Sequence, residues 1–266
     1  MLPTHTFTFS LPIWRLIYDT IPAETTASLL AVELRSKSGV EWAVVDVETN
    51  AVRWQRPIAN TDWWTSLIGF YSGVLLFHTY AGSEQPAPKS LLAINAETGA
   101  FLWKLDGYAF VATDGLLLQT AQAQTDLQIK ITHRYLRDGS LSTASVLQQP
   151  ATNAFWRFPI EHSESSPYYS VIGQFVQKII GKTPQKALNY GEIGGHILFF
   201  QYLYHANATA LSRSILVVNT SKTVLHHETL ETDVTSTAFG ESFYNEHHLV
   251  YLKNLQELVV IKLPKP

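Results

Sequence analysis

The chain has 266 residues, of which 46% are apolar and 15% are charged, and its net charge at pH 7 is −3. This much apolar surface excludes an intrinsically disordered chain, because its burial offsets the entropy that is lost on folding. The small negative charge argues against a general nucleic-acid partner, since such proteins need clustered cations to displace phosphate counterions. The sequence contains no cysteine, which rules out disulfides, thiol nucleophiles and thiolate metal sites.

No stretch of the sequence reaches the roughly 18 consecutive apolar residues that a membrane helix requires. The first twenty residues lack the basic start and the long apolar run of a secretory signal. We therefore expect a cytoplasmic protein without a membrane span.

Short apolar runs bounded by turn residues recur along the chain and predict β-strands. No helical pattern of 10–15 residues alternates with them, which argues against a parallel α/β sheet. The sequence therefore predicts an all-β chain. In chain order, the runs are 12–17, 28–34, 43–47, 73–78, 115–119, 129–133, 197–200, 216–218, 248–252 and 258–262.

Two segments, 43–54 and 92–103, align without a gap at an offset of 49 residues. Each copy has an apolar strand, a turn and a second strand that carries a tryptophan, Trp54 or Trp103. Asn50 and Gly99 stand where a tight hairpin requires a positive φ. A large flat ring at the equivalent place on each returning strand can fill the space between neighbouring sheets. A period of roughly 40–50 residues built from strands is typical of a β-propeller.

Weaker copies continue towards the C-terminus, where Asn219 corresponds to Asn95 and His227 falls where the tryptophan is expected. The last two strands, 248–252 and 258–262, end the chain without a partner, and the strand 12–17 has none at its start. Pairing them removes exposed sheet edges. We predict one domain, residues 1–266, that forms a β-propeller of about five blades, with six as the alternative, closed by pairing of the N- and C-terminal strands.

The hairpin resembles the repeat of propellers similar to the pyrroloquinoline-quinone dehydrogenases. The segment 33–103 also resembles an uncharacterised bacterial domain family with this type of propeller. The resemblance implies the fold but not the quinone chemistry, because the vicinal disulfide of those enzymes cannot form here and no carboxylate and amide set matches their calcium site. The positions that carry the resemblance are Asp46, Thr49, Trp54, Asn95, Thr98, Gly99 and Trp103.

The strand pattern is interrupted from about 151 to 186, and apolar residues there recur with helical spacing. Gly181 and Pro184 would end such a helix. We predict a short, partly helical insertion between blades at about 151–186.

Asp62-Trp63-Trp64 is the most unusual local feature of the sequence. If the two tryptophans lie in a strand, they point to opposite faces, so that one can fill the core and the other can contact a sugar, a peptide or a flat ligand. The alternative is that both pack between blades. We predict ligand-binding residues at Trp63, Trp64, His78 and Tyr80.

Two other chemistries have weaker support. The ten histidines include the pairs His226-His227 and His247-His248, but neighbouring strand residues diverge, so we expect no metal site and no cofactor. Glycoside hydrolysis needs two carboxyl groups that converge on one site. We expect Asp46 to cap its turn instead, because Asn95 and Asn219 replace it. The acids considered for such a site are Asp46, Asp62, Asp106, Asp114 and Glu192.

The function that these observations favour is a non-catalytic propeller that binds a protein, a peptide or a small ligand. The alternative is a carbohydrate-active hydrolase with carboxylates in the central channel. No catalytic residue is assigned, and no nucleic-acid partner is expected.

Overall fold

The computed structural model describes residues 2–84, 86–124, 128–144, 146–148, 155–204, 210–234 and 242–264. The chain divides into two compact units. We call Leu11–Phe155 the first unit, and Met1–Ser10 together with Trp156–Pro266 the second unit. The single domain expected from the sequence stays a prediction.

The elements of the described residues are almost all strands. No helix among these residues is long and apolar enough to cross a membrane. The elements are β1 (Thr4–Thr8), β2 (Ile13–Tyr18), β3 (Leu29–Ser36), β4 (Gly39–Asp46), β5 (Ala51–Arg56), β6 (Thr65–Tyr71), β7 (Val74–Thr79), β8 (Ser90–Asn95), β9 (Phe101–Asp106), β10 (Tyr108–Thr113), β11 (Leu117–Ala123), β12 (Ile129–Tyr135), β13 (Ile160–Ser163), α1 (Tyr169–Ile180), β14 (Gln185–Ile193), β15 (His196–Tyr204), β16 (Leu211–Asn219), β17 (Val224–Val234), β18 (Ser242–Tyr244), β19 (His248–Lys253) and β20 (Glu257–Lys262).

The described strands form five antiparallel sheets, and neighbours in sequence are neighbours in each sheet. The first unit contains β2–β5, β6–β9 and β10–β12, and the second contains β13–β17 and β18–β20. This up-and-down order, repeated along the chain, is the blade topology of a β-propeller. The predicted all-β propeller is confirmed, with five sheets rather than six.

The fifth sheet is completed by the N-terminal strand. β1 pairs antiparallel with β20, with Thr4 opposite Ile261 and Thr8 opposite Glu257. The predicted pairing of the two ends is therefore confirmed, but the strand named for it was wrong. The strand with Trp14 is β2, which pairs with β3. β1 gives a weak sequence signal because its threonines alternate with His5 and Phe7, and of these two only Phe7 is buried.

The hairpins of the repeat adopt the predicted turns. Asn50 and Gly99 have φ values of 55° and 68°. The Oδ1 atom of Asp46 accepts hydrogen bonds from the backbone N–H groups of Glu48 at 3.0 Å and Thr49 at 3.3 Å. Asn95 does the same for Thr98 at 2.9 Å. The turn-capping role predicted for Asp46 is confirmed, since an amide oxygen replaces its carboxylate oxygen in the same contact.

Trp54 and Trp103 are both buried against the next sheet along the chain. The Nε1–H of Trp54 donates to the carbonyl of Ala96 at 2.7 Å, and that of Trp103 donates to Leu136 at 2.9 Å. A glycine turn lies over each ring: a Cβ atom at Gly139 would be 2.9 Å from the indole of Trp103. The tryptophan of one sheet and the turn of the next sheet thus form a single packed unit.

In the fourth sheet, His226 rather than His227 takes the position of these tryptophans. Trp54 and Trp103 lie opposite residues two before the capping Asp46 and Asn95, and a bulge follows each pair. Two residues before Asn219, Val217 lies opposite His226, and the same bulge follows. The prediction of His227 was wrong because this turn is one residue shorter than the other two.

The helical segment is confirmed, but its place in the fold differs from the prediction. α1 ends at Gly181, which has a φ of 72°. β13 belongs to the fourth sheet, because it pairs with β14. α1 is the connection between these two strands. The expected insertion between blades is therefore a connection within one sheet. Of the predicted range 151–186, residues 151–154 lie outside the described residues.

Candidate functional site

The predicted aromatic site gathers at one end of β6 and β7. Thr65 lies opposite Thr79 in the sheet, and the backbone N–H of Tyr80 donates to the carbonyl of Trp64 at 2.9 Å. The hydroxyl of Tyr80 is 3.4 Å from Nδ1 of His78. The structure therefore places the backbone of Trp64 beside Tyr80, and the hydroxyl of Tyr80 beside His78.

The two tryptophans do not lie in a strand. They form a turn that precedes β6, in which Oδ1 of Asp62 accepts a hydrogen bond from the backbone N–H of Trp64 at 2.9 Å. The expectation that strand geometry places them on opposite faces was therefore wrong. Both rings are substantially accessible, with 45% exposure for Trp63 and 40% for Trp64.

Trp63 is held by Arg35. The guanidinium carbon lies 5.3 Å from the centroid of the Trp63 ring, and Nη1 donates to the Trp63 carbonyl at 2.6 Å. The same guanidinium donates to the carbonyl of Thr65 and pairs with the buried carboxylate of Glu33 at 2.5 Å. This contact ties the tryptophan turn to β3.

His78 has a structural environment. Its Nε2 atom accepts a hydrogen bond from the backbone N–H of Phe110 at 2.9 Å, which places the proton of the neutral ring on Nδ1. Burial lowers the pKa of His78 to about 4. The ring therefore connects β7 to β10 as a neutral imidazole at pH 7.

The burial of His78 predicts a loss of stability in mild acid. An unfolded histidine has a pKa near 6.5, so between pH 6.5 and about 4 the unfolded chain binds a proton that the native chain does not. The free energy of unfolding therefore rises with pH across this window and falls on acidification. After allowance for partial exposure, we expect His78 to account for a loss of about 1–2 kcal/mol between pH 7.5 and pH 5.

Urea unfolding at the two pH values measures this effect. His78→Gln keeps an acceptor for Phe110 and removes the titrating group. It should show a smaller difference between the two pH values than the unsubstituted protein. Equal differences in both proteins would show that His78 does not contribute.

The carboxylates considered for hydrolysis serve mainly as turn caps in the first unit. Oδ1 of Asp114 accepts from the backbone N–H groups of Leu116 and Leu117 at 2.9 and 2.7 Å. Burial alone raises the pKa of Asp114, but hydrogen bonds from backbone N–H groups outweigh it and the net shift is downward. The carboxyl groups of Asp46 and Asp62 also accept hydrogen bonds within their own turns. The lowered pKa of Asp114 favours its ionised form, which is the reverse of what a general acid needs.

A polar cluster joins β17 to β19 in the second unit. Glu228 accepts a hydrogen bond from the Tyr251 hydroxyl at 2.8 Å and pairs with Lys253, and Nε2 of His226 lies 3.6 Å from its carboxylate. Burial lowers the pKa of His226, and Glu228 offsets this only in part. The groups satisfy one another, as expected of a structural network. No group of three or more acids and histidines with metal-binding geometry occurs among the described residues.

An apolar groove lies in the second unit, between α1 and one face of β13–β15. We call it the helix groove. Its volume is about 510 Å³, within the range of small-molecule sites. Its lining residues are Ile160, His162, Tyr168, Val171, Ile172, Phe175, Tyr190, Glu192, Ile197 and Phe199.

The helix groove is formed by the amphipathic pattern of α1 and the alternation of β14. Phe175 packs against Phe199 of β15, with ring centroids 5.6 Å apart, and Tyr190 lies 5.7 Å from Phe199. Tyr190 and Glu192 are two residues apart and share one face of β14. The hydroxyl of Tyr190 donates a hydrogen bond to the carboxylate of Glu192.

The rim of the helix groove is aromatic and polar. The ring of His162 lies 5.8 Å from Tyr168 and 6.5 Å from Tyr190, both at steep angles. Nδ1 of His162 is within hydrogen-bond distance of the Ser166 hydroxyl, at 3.1 Å. The sequence does not predict this site. Val171 fits the helical apolar pattern of a core residue, and only the structure shows that it is 69% exposed.

Residues 23–103 match the model of a family described as a domain of unknown function, DUF4905. The resemblance expected for 33–103 is confirmed. No curated protein matches the chain.

Solved structures similar to this chain are β-propellers. BamB from Moraxella catarrhalis is 11% identical, with a TM-score of 0.32, over 93% of this chain and 85% of BamB. The β-propeller domain of Cps50 (Swd1) from Myceliophteria thermophila is 8% identical, with a TM-score of 0.33, over 98% of this chain and 100% of that domain. At these scores the likeness carries no argument about function, and the fold is established by the sheets and their connections.

Proposed function

We propose that this chain is a non-catalytic binding protein, and that its site is the helix groove with a small organic ligand of apolar body as the occupant. The observation that carries the proposal is a concave apolar surface with a few polar groups at its rim, which is the usual form of a small-molecule site. Ile160, Tyr168 and Val171 are exposed at this groove. Covering them would remove apolar area from water, which favours binding.

The single carboxylate among the described lining residues of the helix groove supports binding over hydrolysis at this site. Retaining and inverting glycosidases both need two carboxyl groups at the bond that is cleaved. Of the described residues that line the helix groove, Glu192 alone carries a carboxylate. The hydrolase alternative therefore has no second acid among the described residues that line the helix groove.

Trp63, Trp64, His78 and Tyr80 remain our proposal for a second contact surface, where a protein, a peptide or a flat ligand binds. The exposure of the two tryptophan rings supports it, whereas the burial of His78 assigns that residue a supporting place beneath Tyr80. A cytoplasmic location and the lack of a nucleic-acid partner are also part of the proposal. The net charge of −3 supports the second of these.

The proposed function is tested by titrating the protein with Nile red, an uncharged apolar fluorophore. Val171→Asp places a charge on the groove wall at the third residue of α1, where a carboxylate is compatible with the helix dipole. We expect its affinity for Nile red to fall at least about tenfold, because an apolar ligand would strip water from the new charge.

Ile129→Asp is the matched control, since Ile129 is equally exposed, at 69%, and lies on β12 in the first unit. It should bind the dye like the unsubstituted protein. Unchanged affinity in Val171→Asp would overturn the helix groove as the site. A loss in Trp63→Ala instead would move the site to the tryptophan turn.

A further inference from the structure

One carboxylate lies among the described lining residues of the helix groove. It belongs to Glu192, and the same residues include neither lysine nor arginine. Near the groove in sequence, the acidic residues are Glu161 and Glu164 and the basic ones include Arg157, Lys178 and Lys186. None of these is among the described lining residues, so the charge that faces a ligand in the groove is that of Glu192. An anionic ligand would therefore meet repulsion, while a cation would meet complementary charge.

Aromatic rings supply a second attraction for a cation. Tyr168, Phe175 and Tyr190 line the helix groove, and the faces of such rings attract ammonium groups within about 6 Å. His162 packs between Tyr168 and Tyr190 and so braces both rings from one side. Tyr190 also holds the carboxylate of Glu192 through its hydroxyl. An aromatic ring and a carboxylate thus adjoin in the groove.

We propose that the ligand of the helix groove is an organic cation, an amine or a quaternary ammonium compound with an apolar body, whose charged head lies at Tyr190 and Glu192. This rests on the proposed function, because it names the ligand class of the same site. The apolar body occupies the part lined by Val171, Ile172 and Ile197. Weaker binding of anions follows from the Glu192 carboxylate, and preference over neutral compounds follows from the rings and that carboxylate together.

Three ligands of one chain length test the proposal in competition with Nile red at pH 8: octyltrimethylammonium, octanol and octanoate, each below its micelle concentration. We expect octyltrimethylammonium to displace the dye at about one tenth of the octanol concentration, and octanoate to be the weakest. Glu192→Gln should reduce the preference for the cation over octanol at least about fivefold and leave the affinity for octanol unchanged. Tyr190→Leu should reduce the same preference, whereas Tyr190→Phe keeps the ring and should retain part of it.

Glu161→Gln is the control, because it removes the same charge from an exposed position that does not line the groove. It should keep most of the preference. If octanol displaces the dye as well as the ammonium compound does, or if Glu192→Gln leaves the preference intact, the ligand class is wrong while the groove still stands. If none of the three ligands displaces the dye and Val171→Asp binds it normally, the proposed function itself fails.

Discussion

Replacing Trp103 by alanine should lower the free energy of unfolding by about 3–5 kcal/mol, the usual cost of removing a large buried aromatic side chain. The indole is 6% exposed and is packed with Leu76, Leu118 and Leu136 of its core cluster. Its loss also leaves the carbonyl of Leu136 without the Nε1–H donor at 2.9 Å. In a chain of this length, such a change lowers the melting temperature by roughly 6–15 °C.

Trp14→Ala is the matched control for this experiment, because Trp14 is also a strand tryptophan but is 64% exposed. Its removal should change stability by less than about 1 kcal/mol. Thermal denaturation followed by circular dichroism compares the two variants directly. Similar melting temperatures for both would mean that Trp103 is not packed between sheets, and the repeat would lose its physical meaning.

The part of the fold that the sequence predicts well is the hairpin turns of the repeat. There, turn geometry and packing restrict the choice of residue at the same few positions. Asp46 and Asn95 are recognisable because a short oxygen-bearing side chain must cap the turn. Gly99 is recognisable because its φ is positive and because a Cβ there would press on Trp54. These requirements act within a dozen residues, so they leave a pattern that repeats along the chain.

The errors arose where pairing is decided at long range. β1 was missed because its partner β20 lies some 250 residues away along the chain, and an edge strand with one buried face needs few apolar residues. Counting residues from Asn219 predicts His227, but the turn is shorter by one residue, so His226 takes the tryptophan position. A one-residue slip turns a side chain to the other face of a sheet, so counting alone cannot assign a buried position.

The candidate site residues also fall into two groups, those that the sequence makes recognisable and those that only the structure does. Trp63 and Trp64 stand out in the sequence because tryptophan is rare, and the structure does place them with Tyr80. The helix groove was invisible, because its lining comes from β13, α1, β14 and β15, whose residues look like ordinary core residues one by one. Glu192 can be recognised as a site residue only when the structure places it beside Tyr190 and α1. A ligand site of this kind depends on which residues the fold brings together, and no sequence motif marks it.

The first unit depends on a second feature that the sequence did not reveal, the ion pair of Glu33 and Arg35. The carboxylate of Glu33 is fully buried, accepts from Nε of Arg35 at 2.5 Å and from the backbone N–H of Leu67 at 3.0 Å. Arg35 in turn donates to the carbonyls of Trp63 and Thr65. The pair therefore supplies hydrogen-bond partners to backbone groups of β6 and of the turn before it. Because both charges are removed from water, each needs the other as its counter-charge.

Glu33→Gln should therefore lower the free energy of unfolding by about 3–5 kcal/mol, because it leaves the charge of Arg35 buried without its partner. Urea unfolding at pH 7 measures the loss. Asp106→Asn is the control: its ion pair with Lys104 is similarly short, at 2.8 Å, but the Asp106 side chain is exposed, so we expect a loss of less than about 1 kcal/mol. Arg35→Gln combined with Glu33→Gln should cost less than the sum of the two single changes, since the second change removes a charge that the first has already stranded. Strict additivity would mean that the two side chains act independently, and the tryptophan turn would then be held by Arg35 without help from Glu33.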